Sequence, residues 1–174
     1  MKALLFTMLL VACSSDEPAA KGEDTPPPVS VTPPTPGTDA AVFVRARVEG
    51  DRVVAEIVTR ATPALSGAAL RLSFPAWLRF ERRDEASGWS AAAVHHTKVG
   101  PDREVILVDT VKGPGIGHAA PSGGESVLTT LYFLRDAQPP ANAGALGFAA
   151  QRCELRDAEG KPVPVRFYDQ PFTR

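Results

Sequence analysis

Side chains able to do chemistry are few in this chain and lie far apart. His95, His96 and His118 are its only histidines. A histidine pair could begin a metal site, but adjacent side chains on an extended chain leave on opposite faces, and no carboxylate or thiol stands at a spacing that would complete the set. The three are expected to be half-exposed strand histidines. Gly88-Trp89-Ser90-Ala91-Ala92 has the letters of a nucleophile elbow, yet that elbow needs a strand running into a helix with an acid and a histidine behind it. Ser90 instead opens an extended stretch. Gly113-Pro114-Gly115-Ile116-Gly117 lacks the lysine and the following helix of a phosphate cradle. Together with Pro121-Ser122-Gly123-Gly124 it is read as a loop between strands, a place where recognition residues often sit. Asp157-Ala158-Glu159-Gly160 is a fragment of a calcium loop without further acids at ligand spacing, and it reads more simply as a hairpin turn. No acid, base and nucleophile converge, so the expectation is a non-enzyme that holds no metal and no cofactor.

Four other side chains carry expectations. Trp77, between Pro75 and Leu78, is expected to be packed. Trp89, flanked by Gly88 and Ser90 near a loop, is the candidate ligand contact, a ring on which a sugar could stack. Cys153 lies in the strand-like Ala149-Ala150-Gln151-Arg152-Cys153-Glu154-Leu155; it reads as a small buried apolar residue, with a reactive or dimer-forming thiol as the alternative. Cys13 stands apart. It closes an apolar run, Ala3 to Val11, that starts behind Lys2 and is far short of the ~20 residues needed to span a bilayer. Residues 1–12 therefore read as a cleaved export signal.

Leu10-Val11-Ala12-Cys13 resembles the lipobox of bacterial lipoproteins. The resemblance implies cleavage between Ala12 and Cys13 and a diacylglyceryl unit on the Cys13 thiol. The alternative is an ordinary cleaved signal with an incidental cysteine. One acyl chain binds a membrane only marginally, at ~0.8 kcal/mol per buried CH₂, whereas two or more hold stably. Ser14, not aspartate, follows the cysteine. By the same resemblance this implies the outer membrane, on its periplasmic side or at the cell surface. With Cys13 acylated, Cys153 has no thiol to pair with, and no disulfide framework is expected.

The elements that must carry these residues divide the chain in three. After the signal (1–12), the lipidated cysteine and the segment to Asp39 (13–39) are crowded with Pro18, Pro26, Pro27, Pro28, Pro33, Pro34 and Pro36. Proline removes donors, and the polar filler offers nothing to bury, so this reads as a semi-stiff spacer without a core. In polyproline II form Ser14–Asp39 would reach at most about 80 Å. The acids of the spacer outweigh its lysine. With a formal net charge of −1 for the whole chain, the body beyond it (40–174) is close to neutral, with no electrostatic footprint for nucleic acid.

From Ala40 the pattern has period two. Val42, Val44, Ala46 and Val48 alternate with Phe43, Arg45, Arg47 and Glu49; a turn at Gly50-Asp51 follows, then Val53, Ala55 and Ile57 against Val54, Glu56 and Val58. Further strands are expected at 68–74, 78–82, 89–99, 104–111, 126–134, 143–155 and 162–168. No stretch keeps helical spacing over ten residues without a breaker. About nine short strands and no long helix make an all-β sandwich.

Ser66-Gly67-Ala68-Ala69-Leu70-Arg71-Leu72-Ser73-Phe74-Pro75-Ala76-Trp77-Leu78-Arg79-Phe80 resembles the stretch of cohesin-type domains in which a strand meets a tight proline turn and a buried leucine. Gly124-Glu125-Ser126-Val127-Leu128-Thr129-Thr130-Leu131-Tyr132-Phe133 is similar to their alternating L-T-L-F strand, and Leu155-Arg156-Asp157-Ala158-Glu159-Gly160-Lys161-Pro162-Val163 to their last hairpin. One departure stands out: Phe74-Pro75 lacks the acid of the Phe-Asp-Pro that cohesins usually carry. The resemblance implies a cohesin-like jelly roll of about nine strands that recognises a protein, in cohesins a dockerin, mainly through one sheet face. Leu70, Leu72, Phe74, Leu78, Phe80, Leu131, Phe133, Leu146 and Phe148 are expected inside. Two other readings are a carbohydrate-binding β-sandwich, which needs solvent-facing tryptophan, and a purely structural envelope lipoprotein.

Overall fold

The computed structural model describes residues 29–111, 117, 118 and 124–174. Residues 1–12, read above as a signal and ending in Ala12, then Cys13, most of the proline-rich stretch and most of the two glycine-rich runs lie outside them.

Alternation builds the strands and burial sorts their faces. The strands are β1 (Ser30–Val31), β2 (Ala41–Glu49), β3 (Arg52–Arg60), β4 (Leu65–Ser73), β5 (Leu78–Glu85), β6 (Ala93–Val99), β7 (Glu104–Val111), β8 (Glu125–Arg135), β9 (Ala145–Phe148), β10 (Glu154–Asp157), β11 (Arg166–Tyr168) and β12 (Gln170–Thr173). One sheet runs β1-β12-β9-β4-β7-β6, with β10 also on β4; the other runs β11-β2-β3-β8-β5. Nearly every pairing is antiparallel; β11 joins β2 in parallel. The result is the expected all-β jelly-roll sandwich. Gly50, at φ +61°, lets the chain reverse between β2 and β3 where an L side chain would be strained.

The core lies between the sheets. Leu70, Leu72, Phe74, Leu78, Leu131, Phe133 and Leu146 are buried as expected, while Phe80 and Phe148 are partly buried and pack against them. Phe133 takes Phe74 at 5.4 Å and Phe80 edge-on at 5.7 Å.

Several boundaries differ from the periodic reading. The spacer does not run free to Asp39: Ser30–Val31 pair with Phe172–Thr173, Val29 joins the core, and Arg60 donates to the Pro36 carbonyl at 2.6 Å. The expected strand over 143–155 is two, because the 3-10 turn Ala150–Arg152 interrupts it. β9 and β10 then meet β4 at different points along the same edge. Only Arg166–Tyr168 of the expected 162–168 strand is extended in a sheet, since Pro162 and Pro164 cannot donate to a ladder. The expected strand over 89–99 starts at Ala93.

Candidate functional site

The outward residues of β4, β7 and β6 make a surface of unusual plainness. Register puts Gly67 and Ala69 beside Thr110 and Val108, and Val94 and His96 on the far side of the same pair. Arg71, Ile106 and Lys98 form the next row. On the other flank β10 sets Glu154 against Ala69 and Arg156 against Gly67. Between Val108, Thr110 and these two charged residues lies a shallow depression of about 230 Å³ floored by Gly67 and Ala69. Gly67 keeps that floor low: a Cβ there would meet the Asp109 carbonyl oxygen at 3.0 Å. Val108, at 38% exposure, and Val99, at 48%, are the exposed large hydrophobic residues among those described. The ion pairs on this face, Arg71–Glu104 at 3.5 Å and Arg156–Glu154 at 2.7 Å, lie around the depression and leave Val108 and Ala69 uncovered.

Beneath the face is a buried polar cluster. Arg83 points inward from β5, its side chain 5% exposed, and donates to Thr129 Oγ1 at 2.8 Å and to Asp109 Oδ1 at 2.5 Å. A further nitrogen reaches the His96 carbonyl and Thr97 Oγ1, both at 3.4 Å. One guanidinium thus ties β5 and β8 of one sheet to β6 and β7 of the other. His95 Nδ1 lies 2.8 Å from the same Asp109 oxygen. A buried pair of this kind depends on the hydrogen bonds around it and not on charge alone.

The residues singled out for chemistry separate here. His95 faces inward and His96 is exposed, so the neighbours point apart as the strand pattern predicts. His118 departs from the half-exposed expectation. It is fully buried, it bridges Leu65 and Trp89, and burial holds its imidazole below the ordinary histidine range. No three His, Cys, Asp or Glu side chains gather as a metal site among the described residues. Ser90 Oγ has no hydrogen-bond partner among them either, so no base stands against it.

Trp89 is corrected most. Expected as an exposed ligand contact, it is 9% exposed, packed in the core, with its Nε1–H donated to the Leu128 carbonyl at 2.8 Å. A ring in that position offers no stacking face. The His118 ring packed against it and the isolated bridge to His118 hold it inside, and neither contact is local in sequence. Trp77 is packed as expected, donating to Ala143 O at 2.6 Å. Cys153 is half-buried; its Sγ accepts from Arg71 N–H at 3.3 Å, and burial pushes the thiol pKa up, away from a reactive thiolate. Asp157 Oδ1 accepts from the Glu159 and Lys161 amides, which makes the expected turn.

Sequence reasoning missed Arg83 and Asp109. Asp109 carried a usable signal: in Val105-Ile106-Leu107-Val108-Asp109 it follows the inward phase of Val105 and Leu107, and an acid on an apolar face demands a partner.

Solved structures that share this fold include cohesin domains. The chain aligns with a non-cellulosomal cohesin from Archaeoglobus fulgidus at 17% identity and a TM-score of 0.57, over 75% of this chain and 87% of that one. It aligns with the sixth cohesin of scaffoldin B from Acetivibrio cellulolyticus, solved with a mutant Cel5 dockerin, at 12% identity and 0.63, covering 75% and 95%. The cohesin of a type I cohesin–dockerin complex from Clostridium thermocellum matches at 14% and 0.59, covering 81% and 98%. No protein-family model matches the chain, and no curated protein does. The likeness is one of fold.

Proposed function

We propose that this chain is a non-catalytic recognition module that binds a dockerin-like protein on the outer face of β4, β7 and β6 and is held to a membrane through acyl chains on Cys13. The observation that carries the reading is the plain face itself. A sheet surface floored by Gly67 and Ala69, with Val108 open to solvent, gives a partner apolar area at its centre and charge at its rim, the usual anatomy of a protein interface. Cohesins of the same fold were solved with dockerins, which supports a protein as the ligand class. The buried state of both tryptophans removes the sugar-stacking platforms that a glycan reading would use.

The lipobox-like Leu10-Val11-Ala12-Cys13 supports the anchor, and Ser14 after it supports the outer membrane. The test has two arms. Capture from envelope extract by the immobilised chain should yield a defined protein with wild type and with Arg47→Ala on the opposite face, and lose it with Val108→Arg. Capture that survives Val108→Arg moves the binding surface elsewhere. Replacing Cys13 by Ser should release the chain from the membrane fraction, and unchanged fractionation removes the anchor.

A further inference from the structure

The side of the sandwich between β5 and β6 is closed by side chains, not by a backbone ladder. Asp109 uses one oxygen, Oδ1, for both Arg83 and His95; its Oδ2 is buried with no partner among the described residues. His118 faces the Val127 carbonyl with Nε2 at 3.1 Å. A carbonyl only accepts, so this nitrogen carries the hydrogen and Nδ1 is the bare one, which is likewise buried without a partner. The Trp89 ring is wedged between the two imidazoles, edge-on to His95 at 5.5 Å and to His118 at 5.1 Å. Gly88 rests directly on His118: a Cβ there would come within 2.6 Å of Nε2. His118 therefore pins the 88–90 segment, and Trp89 passes that constraint to His95 on β6.

We infer that this cluster is an acid-released latch on Ala86–Val99: a proton taken up on Nδ1 of His118 drives the ring toward water, frees Trp89, and loosens β6 while β2, β3 and β8 keep their pairing. The step is proton uptake alone, from solvent, and no covalent bond changes other than the new N–H. Among the described residues, the charged groups facing this region are Arg83 and Glu85 from β5, His95 from β6 and Asp109 from β7; Glu85 lies 3.8 Å from His95 Nε2. β8 offers the Ser126 hydroxyl at 3.4 Å and the Val127 carbonyl, and β4 the Leu65 backbone. Asp109 attracts the new cation, but its charge is already engaged by Arg83 and His95, and desolvation outweighs it, holding the His118 pKa below its ordinary 6.5. Among the described residues β6 pairs with β7 alone, so its other edge depends on Arg83 and this packing.

Because β6 supplies Val94, His96 and Lys98 to the plain face, the latch would gate binding in acid; that consequence alone rests on the proposed function. The test is hydrogen–deuterium exchange of the full chain, corrected for intrinsic rates, between about pH 7.5 and 5, bracketing the histidine range. Protection over 86–99 should fall by up to about tenfold per pH unit below the ordinary histidine value, while 41–60 stays protected. His118→Gln keeps an amide donor for Val127 and cannot titrate, so the pH dependence should vanish in it. Protection over 86–99 as high as that over 41–60, which would mean that both open only with the whole fold, a pH-independent 86–99, or a dependence that persists in His118→Gln would overturn the latch. Should that variant not fold, the contrast between the two regions of wild type decides alone. A latch that works in a chain that captures no partner counts against the proposed function and not against the latch.

Discussion

The two outward faces of this sandwich are built by opposite rules. On the β2-β3-β8-β5 side, Arg45 pairs with Glu56 at 2.9 Å and with Glu125 at 3.1 Å, Arg47 with Glu56 at 3.3 Å, and Arg52 with Glu81 at 3.0 Å. Arg60 also pairs with Glu125, Arg82 with Asp84, and the Arg82 guanidinium lies over the Tyr132 ring at 3.7 Å. Nearly every charge on that face is answered by a neighbour on it. Beneath this lattice Phe43, Val54 and Val58 are covered to 3% exposure or less, because long arginine stems shield apolar area while their heads stay in water. On the β4-β7-β6 side Gly67 and Ala69 hold the centre, the ion-paired arginines stand around it, and Val108 is left bare. A sheet face that satisfies itself has little to offer a partner; one left plain does, and it is also where an accidental contact would form.

That contrast can be attacked from the largest effect downward. The cluster that ties the faces together should matter most: Arg83→Met leaves the Asp109 carboxylate buried beside His95 alone and should cost about 3–5 kcal/mol of stability, read from urea denaturation. Losing only the side chain's packing would cost far less. Phe133→Ala, which removes the ring between Phe74 and Phe80 that both sheets lean on, should cost a similar ~3–5 kcal/mol; a melting curve like wild type would mean the inside of the sandwich has been misassigned.

Next comes pH, which should separate the interior from the charged face. His118 has a folded-state pKa below its ordinary value, so the unfolded chain binds the extra proton first. Stability should be intact above about 6.5 and decline as pH falls below it. Glu125, whose carboxyl is held below its ordinary 4.5 by the hydrogen bond from Arg60, adds stability above that value and loses it only in stronger acid. Denaturation midpoints that stay flat from pH 7 to 5 would contradict the first of these windows. Smallest is the charged lattice taken one member at a time: Arg45→Ala should change stability by less than about 1 kcal/mol, since half-exposed pairs are screened by solvent. Val108→Arg should leave thermal stability within about 0.5 kcal/mol of wild type. A large loss from either surface change would erase the distinction between a self-satisfied face and a plain one.

The sandwich was legible in the sequence because period two survives in long runs such as Val42 to Ile57, where every inward residue is apolar. The interior cluster was not, and the reason lies in β5. From Leu78 and Phe80 the alternation would turn Arg82 inward and Arg83 outward. A register shift between Phe80 and Arg82 reverses this: Phe80 stands opposite Phe133, yet Arg82 stands opposite the outward Tyr132 and Arg83 opposite the inward Leu131. One extra residue moves an arginine from solvent into the core, and no spacing rule announces where a bulge will fall. Trp89 was misplaced for a related reason. What buries it is a bridge to His118, a contact across nearly thirty positions that composition around Gly88 does not signal. β1 and β12 escaped because two- and four-residue strands carry too few residues to show a period.

Ser30–Val31 joins the body at the edge of its sheet farthest from β6, through a ladder of two residue pairs. Any pull arriving through the amino-terminal stretch meets that ladder before it meets the rest of the sandwich. It would act as a mechanical fuse: peeling it pays out the slack up to Ala41, roughly 3.3 Å for each extended residue, with the sheets behind it still intact.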